Sequence, residues 1–403
     1  MAPPPHGLAC AEFALALGGF AIGTAEFAAM GLLPDVASDL RISVPDAGHM
    51  ISAYALGVVV GAPLITVLFA RVPRRALLIL LMLFYAVGNG ITALSHDYTL
   101  ILVSRFIAGL PHGAYFGLAA LAAAALVPPH KRGIAIAKIM LGLSVANVIG
   151  VPAATWLGQI WGWQACFAAV SLIAVITSAL LAWSMPTLPH TNGASPLTEL
   201  GALRRPQVLL TLLASAVGFG GVFAAYSYAA STLTNVTHIA SYNVPWALAL
   251  IGVGMVVGNI ACGWFADRWL KPTMIGMYAF SALILVGYVF AAPYLWPILV
   301  CLFGVGVGSA LGPAFQSRLM DVAGDAQALA AALNHSAFNI ANASGAWLGG
   351  LVIAAGYGWP ATGWVGALLA SLGILVLLFA FALESRGTRG RRVASAQCLS
   401  GAK

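Results

Sequence analysis

Long, almost wholly apolar runs recur along this entire chain and constrain its fold more than any other feature. Each run is long enough to cross about 30 Å of hydrocarbon at about 1.5 Å per helical residue. Of the 403 residues, 61% are hydrophobic and only 7% are charged, whereas soluble proteins average about 25% charged residues. Because the alternating segments typical of a β-barrel are missing from the sequence, it predicts an all-α polytopic membrane protein.

Reading the apolar runs between polar breaks predicts twelve transmembrane helices, called span 1 to span 12 below. Their predicted limits are 9–33, 48–69, 76–94, 99–126, 135–158, 164–184, 208–232, 243–266, 273–292, 296–319, 328–354 and 360–383. The longest connection, 185–207, is polar and Pro-rich and follows span 6. We therefore expect two six-helix bundles, 1–184 and 208–385, a cytoplasmic linker between them, and a basic cytoplasmic tail at 386–403.

The basic residues support this count. With a cytoplasmic N-terminus, all of the 18 Lys and Arg residues except Arg41 and Arg105 fall on or near the cytoplasmic side. Cytoplasmic loops carry such an excess of Lys and Arg, so both termini are expected in the cytoplasm. The formal charge of +7 then reflects topology and does not indicate nucleic-acid binding. The start of the chain lacks the basic region of a secretory signal, so span 1 is expected to be retained.

The two halves also resemble each other. At an offset of 197 residues, Gly57 and Gly61 of span 2 match Gly254 and Gly258 of span 8. At an offset of 195, Gly109 of span 4 matches Gly304 of span 10, as do two further glycines in each. Such recurrence predicts pseudo-symmetric repeats, an architecture whose substrate site lies at the repeat interface near the membrane midplane.

Two motifs carry a resemblance to a known family. The stretch "EFAAMGLLPDVASDLRIS" begins at Glu26, and "RFIAGLPHGA" begins at Arg105. With them the whole chain resembles the major facilitator superfamily, and within it the bacterial drug:proton antiporters that include arabinose-efflux-permease-like proteins. The resemblance implies two rocking six-helix bundles in the bacterial inner membrane. It also implies export of a drug-like molecule, sugar or nucleoside in exchange for protons.

The same resemblance implies residues for gating and antiport. The superfamily's loop signature matches "TVLFARVPRR" after span 2, where Thr66, Ala70 and Pro73 replace its glycine, aspartate and second glycine. The copy after span 8, "GWFADRWLK", keeps more of the signature. The antiporter element of span 5 reads Gly-Val-Pro. The candidate gating residues are Arg71, Arg74, Gly263, Asp267 and Arg268, and those of the antiporter element are Gly150 and Pro152.

Glu26 is the strongest candidate for chemistry. A carboxylate at membrane depth costs about 2.5–3.5 kcal/mol on insertion scales and is by default a functional-site hypothesis. It could hold either a proton or a substrate, and mutual exclusion of the two would give exchange. The alternative is a protonated Glu26 that hydrogen-bonds a neighbouring helix for packing. Gly19 and Gly23 lie on the same helical face and would let another helix approach closely.

Three further residues are candidates for proton coupling. Arg105 is a basic residue within a span, and since it cannot lose its charge it needs a partner; the sequence leaves open whether that partner is Glu26. His112 shares the face of Arg105, and histidine as a residue type titrates near neutrality, but a packing role is equally compatible. Pro34 is expected to end the first helix, which makes Asp35 either a proton-entry residue or a solvated loop carboxylate.

Span 11 contains an unusually polar stripe of His335, Asn339 and Asn342. This stripe could line a cavity, or it could join helices by hydrogen bonds worth about 0.6 kcal/mol each. Asn147 of span 5 presents the same choice. Tyr115, Phe223 and Tyr226 could supply aromatic walls to an apolar pocket, or simply pack. Together with Glu26, these are the candidate substrate-binding residues.

Several classes of function find no support in the sequence. The chain has no phosphate-binding G-x-x-x-x-G-K-[ST] loop, no H-E-x-x-H and no G-x-S-x-G motif, so neither ATP-driven transport nor a common hydrolase is indicated. Its five Cys residues show no metal or disulfide spacing. We expect a monomer in the lipid bilayer, not an enzyme, without metal or cofactor, whose partners are a small molecule and protons. A proton symporter that imports a metabolite and an uncoupled facilitator are the alternatives.

Overall fold

The computed structural model describes residues 5–69, 72–128, 132–186, 201–324 and 327–400. Throughout these ranges the regular secondary structure is helical, which confirms the all-α prediction. The helices that form the spans are Pro5–Gly31 for span 1, Val44–Leu68 for span 2, Arg74–Leu94 for span 3, Tyr98–Ala125 for span 4, Arg132–Val145, Ala146–Gly150 and Val151–Trp161 for span 5, Gln164–Ser184 for span 6, Pro206–Gly218, Gly220–Ser227 and Ala229–Asn235 for span 7, Val244–Ala291 for spans 8 and 9, Leu295–Gly308 and Gly312–Ala323 for span 10, Gln327–Ala354 for span 11 and Ala361–Ser400 for span 12.

Spans 8 and 9 form one continuous helical stretch of 48 residues. A straight helix of that length would measure about 72 Å, more than twice the thickness of a bilayer core. Trp269 breaks it with non-helical torsion angles (φ −143°, ψ 64°), so that 244–268 and 270–291 cross separately. Eleven segments of the described chain are long and apolar enough to span a membrane, with 241–291 taken as one. The prediction of twelve crossings is therefore confirmed.

The first connection differs from the sequence expectation. Span 1 ends at Gly31, but Pro34 does not lead into a loop, because a second helix, Leu33–Leu40, holds it within its first turn. Proline suits that position, where its missing N–H leaves no hydrogen bond unmade. Asp35 and Asp39 are therefore helical residues. The next helix starts conventionally, with the Ser43 hydroxyl accepting a hydrogen bond from the Asp46 N–H at 3.1 Å.

Glycines let the helices of each half pack at backbone contact. A Cβ atom on Gly57 would lie 2.2 Å from the Phe106 carbonyl oxygen, and one on Gly254 would lie 2.1 Å from that of Phe303. The Cα atom of Gly109 lies beside Gly57, and that of Gly306 beside Gly254. The contacting residues of spans 4 and 10, Gly109 and Gly306, are therefore also 197 residues apart. The offset of 195 predicted for these two spans from the sequence is wrong.

The two bundles meet along spans 2 and 11 and along spans 5 and 8. Ser52 donates a hydrogen bond to the Ala343 carbonyl at 3.1 Å, and Gln159 donates one to the Ser241 carbonyl at 2.9 Å. These contacts lie towards the end of the molecule that carries Asp35, Asp39, Asp46 and Asp97, called the acidic end below. The other end, called the basic end, carries Arg74, Arg75, Arg205, Arg268, Lys271 and Arg318.

The exact limits of the two bundles stay a prediction. Most of the linker, 187–200, lies outside the described residues, as do the side chains of the tail from residue 386 onwards. Arg71 also lies outside them.

Candidate functional site

Glu26 lies at the interface between the two bundles. Its side chain belongs to span 1 and is buried, with the residue 3% exposed. Its Oε1 atom accepts a hydrogen bond from Nδ2 of Asn342, on span 11, at 3.2 Å. Gly23 makes room for this position, because a Cβ atom there would lie 2.6 Å from the Leu143 side chain of span 5. A carboxylate of one bundle thus bonds directly to an amide of the other.

His112 connects Glu26 to two buried tyrosines. Its Nδ1 atom lies 4.0 Å from Oε2 of Glu26 and 2.9 Å from the hydroxyl of Tyr54. The Tyr54 hydroxyl lies 3.5 Å from that of Tyr85, which donates to the Ile22 carbonyl at 3.4 Å. Neither tyrosine was predicted as a site residue from the sequence, although a hydroxyl inside an apolar span needs a partner when it is buried.

Arg105 is wholly buried beside this chain of polar groups. It donates hydrogen bonds to Oδ1 of Asn89 and to the carbonyl of Ala25, each at 3.3 Å. Its guanidinium carbon lies 4.3 Å from the centre of the Tyr54 ring and 4.9 Å from that of Phe167, so cation–π contacts on two rings stabilise the charge. The link to Glu26 that the sequence left open runs through the backbone of Ala25 and the ring of Tyr54.

An aromatic wall stands next to Glu26. The ring of Phe27 is nearly parallel to those of Phe223 (centroids 6.4 Å apart) and Tyr226 (5.8 Å), so the two predicted aromatic residues of span 7 meet span 1. Phe338 of span 11 packs edge-on against Phe223 at 5.0 Å. Sequence reasoning missed Phe27 and Phe338, since nothing in the sequence separates them from other phenylalanines.

The polar stripe of span 11 faces the same region. His335 stacks on Phe116 of span 4, with ring centroids 5.7 Å apart and planes 5° from parallel. Asn339 donates from Nδ2 to the His335 carbonyl at 3.0 Å. Within the described part of the chain, the Oδ1 atoms of Asn339 and Asn342 are both buried without a hydrogen-bond partner. Unpartnered polar atoms are costly in a protein interior, by about 1–3 kcal/mol each.

Two other candidates make contacts elsewhere. Tyr115 donates to the Leu15 carbonyl at 2.8 Å and packs over Gly18, so its described contacts join spans 4 and 1. Asn147 donates to the Leu143 carbonyl at 2.9 Å, and its Oδ1 atom is buried without a partner. Its backbone carbonyl meets Gly252 of span 8.

The antiporter element adopts a distinctive geometry. Gly150 closes a π-helical turn, Ala146–Gly150, and Pro152 sits in the first turn of the following segment. Such turns free a backbone group and are frequent at functional sites. A Cβ atom on Gly150 would lie 2.2 Å from Oγ1 of Thr24, so glycine is required here for span 1 to approach.

Asp35 and the gating residues lie apart from Glu26. Asp35 occupies the helix that follows span 1, where burial raises the pKa of its carboxyl above the ordinary value. At the basic end, Arg268 lies over the Trp264 ring at 3.9 Å and donates to the carbonyl of the same residue. Gly263, Asp267 and Arg74 accompany it at this end, at the ends of spans 8 and 3.

A charge cluster at the basic end escaped the sequence analysis. Glu384 of span 12 binds Lys271 and Arg318, each at 2.8 Å. Arg318 is 4% exposed and also donates to Oε1 of Gln207 at 3.1 Å. The cluster joins spans 7, 9, 10 and 12 of the second bundle.

Comparison with known proteins places this geometry in context. Residues 15–326 and again 227–397 match the Major Facilitator Superfamily. The chain is 42% identical over 367 residues to the "Inner membrane transport protein YdhP" of Escherichia coli strain K12, covering 90% of this chain and 94% of that one. It is 32% identical to the "Putative transporter AraJ" of the same strain, with 90% and 93% covered.

Two further matches extend the comparison. The "Chloramphenicol resistance protein" of Streptomyces lividans is 32% identical over 372 residues, with 90% and 94% of the chains covered. A crystal structure of a mutant of the nucleoside transporter NupG shares the fold, with a TM-score of 0.74 at 12% identity over 92% of this chain and all of that one. The protein is a membrane transporter of small molecules and not an enzyme, and it belongs to the major facilitator superfamily.

Proposed function

We propose that this transporter exports a small organic molecule in exchange for protons, with Glu26 as the group that binds either one. The observation that carries the proposal is the hydrogen bond between Glu26 and Asn342, because it places an ionisable side chain between the two bundles. A change in the charge of Glu26 then acts directly on one of the contacts between the bundles.

The exchange follows from the cost of a buried charge. An ionised carboxylate without partners is unstable in a water-excluded site. Protonation removes the charge. Alternatively, a cargo molecule that donates hydrogen bonds stabilises the ionised carboxylate. Release of one therefore favours capture of the other, which is the condition for obligatory exchange. Two neighbours set how readily the carboxylate gives up its proton. His112 lies 4.0 Å from it, and Arg105 is linked to it through the Ala25 backbone and the Tyr54 ring.

The direction of transport and the orientation in the membrane are each supported by an observation of their own. The Streptomyces lividans relative is named for resistance to chloramphenicol, and removal of a compound from the cell produces resistance. The excess of Lys and Arg at the basic end favours a cytoplasmic location for that end. We therefore place the protein in a bacterial inner membrane, with both termini in the cytoplasm.

Proteoliposomes test the proposal. The purified protein is reconstituted with a pH-sensitive dye trapped inside, a pH gradient of either sign is imposed, and uptake of radiolabelled chloramphenicol, L-arabinose or uridine is measured. We expect one probe to accumulate only in vesicles that are acidic inside, with Glu26→Gln abolishing gradient-driven accumulation. Glu12→Gln is the matched control, because Glu12 lies on the same helix but pairs with Lys138 at 2.6 Å; this variant should retain exchange.

The alternatives predict other results. Accumulation in vesicles that are alkaline inside would indicate symport. Equilibration that no gradient can drive, and that Glu26→Gln leaves intact, would indicate an uncoupled facilitator.

A further inference from the structure

Two buried amide oxygens of span 11, one of them on the residue that bonds Glu26, have no hydrogen-bond partner among the described residues. They are the Oδ1 atoms of Asn339 and Asn342, which lie on one stripe of span 11 and are 1% and 0% exposed. Two neighbouring unsatisfied acceptors in a protein interior call for a donor from outside the chain, because each costs about 1–3 kcal/mol if left alone.

The chemistry of their partners fixes which way these amides point. Nδ2 of Asn339 donates to a backbone carbonyl, that of His335. A carbonyl can only accept a hydrogen bond, so the amide cannot be turned around and its oxygen must be the free atom. Nδ2 of Asn342 donates to Glu26, and an ionised carboxylate likewise can only accept. The site therefore presents a row of acceptors made of one carboxylate and two amide oxygens.

The charge balance favours a neutral cargo. Arg105 is permanently charged and reaches the backbone next to Glu26 through Ala25. An ionised Glu26 and Arg105 together carry no net charge. A neutral cargo leaves this balance unchanged, whereas a cation must lose its own hydration to enter the buried site, and desolvation of an ion costs several kcal/mol. Protonation of His112 or His335 would only add positive charge to the site.

The aromatic wall sets the shape of the remaining surface. Phe27, Phe223 and Tyr226 are stacked within one row, and Phe338 joins it one residue before Asn339. A molecule with one apolar face fits against these rings while its polar edge meets the acceptors.

We infer that the cargo is a neutral, hydroxyl-rich small molecule with one apolar face. Its O–H or N–H groups donate to Glu26 and to the Oδ1 atoms of Asn339 and Asn342. This inference rests on the proposed function and adds the substrate class to it. It also explains the competition with the proton: a protonated Glu26 donates to Oδ1 of Asn342 once that amide turns, and so occupies the acceptor that the cargo needs.

Binding to the full-length protein in nanodiscs tests the inference. Isothermal titration compares uridine, L-arabinose and chloramphenicol, which are neutral and hydroxylated, with tetraphenylphosphonium, a cation without hydrogen-bond donors. We expect at least one hydroxylated probe to bind and tetraphenylphosphonium not to bind. Asn339→Leu and Asn342→Leu should each lower the affinity for that probe by at least about tenfold. Asn334→Leu is the control, because Asn334 lies on the same helix but donates to Gln316, and it should leave affinity unchanged.

A second measurement needs no variant. An O-methylated form of the probe that binds, for example tri-O-methyluridine, keeps the ring system and loses the three hydroxyl donors; we expect its affinity for the wild-type protein to fall at least about tenfold. Equal binding of the methylated form, binding of tetraphenylphosphonium in preference, or failure of all three hydroxylated probes would overturn the inference.

The two proposals fail separately. If tetraphenylphosphonium is exchanged for protons and the exchange depends on Glu26, the proposed function stands and the substrate class is wrong. If a hydroxylated probe binds through Asn339 and Asn342 but no pH gradient drives its accumulation, the substrate class stands and proton exchange is wrong.

Discussion

At the scale of single residues, Glu26 shows how a transporter keeps an acid inside a membrane. The carboxylate has an amide partner on the opposite bundle, and a histidine lies 4.0 Å away. Behind the histidine, Tyr54 contacts both His112 and Arg105, because its hydroxyl binds His112 while its ring lies against the Arg105 guanidinium. Loss of the hydroxyl and loss of the ring should therefore have different consequences.

Tyr54→Phe is expected to lower the free energy of unfolding by about 1 kcal/mol, the net value of a typical hydrogen bond. Tyr54→Leu should lower the free energy of unfolding further, since the cation–π contact with Arg105 is lost as well. Denaturant titration in mixed micelles measures both. Tyr98→Phe is the control, because the Tyr98 hydroxyl also binds a histidine, His49, at 2.8 Å but at the acidic end. An equal loss for Tyr98→Phe would show that burial of the Tyr54 hydroxyl is irrelevant.

Asp35 should make stability depend on pH. Burial raises the pKa of its carboxyl in the folded protein, so the folded state binds a proton more tightly than the unfolded chain, whose aspartate pKa is about 3.9. Stability should then fall as pH rises from about 4 through the raised pKa. Asp35→Asn is expected to be more stable than the wild type at pH 7, with a difference that disappears towards pH 4.

Thermal denaturation across this pH range checks the expectation for Asp35. Asp39→Asn is the matched control on the same short helix, because Asp39 accepts hydrogen bonds from Trp163 at 2.9 Å and Gln164 at 3.0 Å. It should not be stabilised at pH 7. A parallel response of the two variants would contradict the role of burial at Asp35.

At the scale of helices, backbone contacts at glycine residues join helices both within a bundle and between the two bundles. Gly57 and Gly254 hold helices together within a bundle, whereas Gly252 lies between bundles, where span 8 meets the π-helical turn of span 5. Rocking requires this second kind of contact to open and close. The same residue type therefore allows backbone contact within a bundle in one place and between the bundles in another.

Gly252→Ala is expected to push spans 5 and 8 apart. A Cβ atom there would lie 2.2 Å from the Asn147 carbonyl oxygen, and overpacking of this kind costs about 1–3 kcal/mol. Spin labels on cysteines that replace Trp161 and Tyr242, in a background without native cysteines, should report a longer distance in this variant. Gly263→Ala on the same span is the control, since its Cβ would meet nothing within 4 Å. An unchanged distance for Gly252→Ala would mean that the contact is not a constraint.

At the scale of the whole molecule, the two ends differ in charge and in how they hold the bundles. The contacts of Ser52 with Ala343 and of Gln159 with Ser241 join the bundles towards the acidic end. At the basic end, the cluster around Glu384 ties together helices of a single bundle. This asymmetry is consistent with alternating access, in which one end opens while the other is closed.

A disulfide between cysteines that replace Ser52 and Ala343 should stop transport, because it prevents the bundles from separating towards the acidic end. Oxidation with copper phenanthroline is expected to abolish uptake of the transported probe, and a reducing agent should restore it. Each single-cysteine variant should be unaffected by the oxidant. Normal transport by the fully cross-linked protein would show that this interface need not open.

Orientation gives a separate prediction. Alkaline phosphatase, which is active only outside the cytoplasm, should be inactive when fused after Lys403 and active when inserted after Ser95, in the connection between spans 3 and 4. The physical reason is the excess of Lys and Arg at the basic end, because segments rich in these residues tend to stay in the cytoplasm. The reverse pattern of activity would invert the assignment of the two ends and with it the direction of transport.

The sequence by itself determined the membrane class, the twelve crossings and the superfamily, and it singled out Glu26 as the strongest candidate for a functional residue. Apolar length, glycine recurrence and a carboxylate within an apolar run are local properties, and hydrocarbon imposes their consequences whatever the tertiary contacts are. Only the tertiary structure decided which groups surround Glu26. Asn342 is more than 300 residues away in the chain, Tyr54 looked like any aromatic residue of an apolar span, and Tyr115 proved to bind Leu15. A hydrogen bond depends on the positions of two atoms, and helix packing fixes these positions across distances that periodicity within one span does not encode.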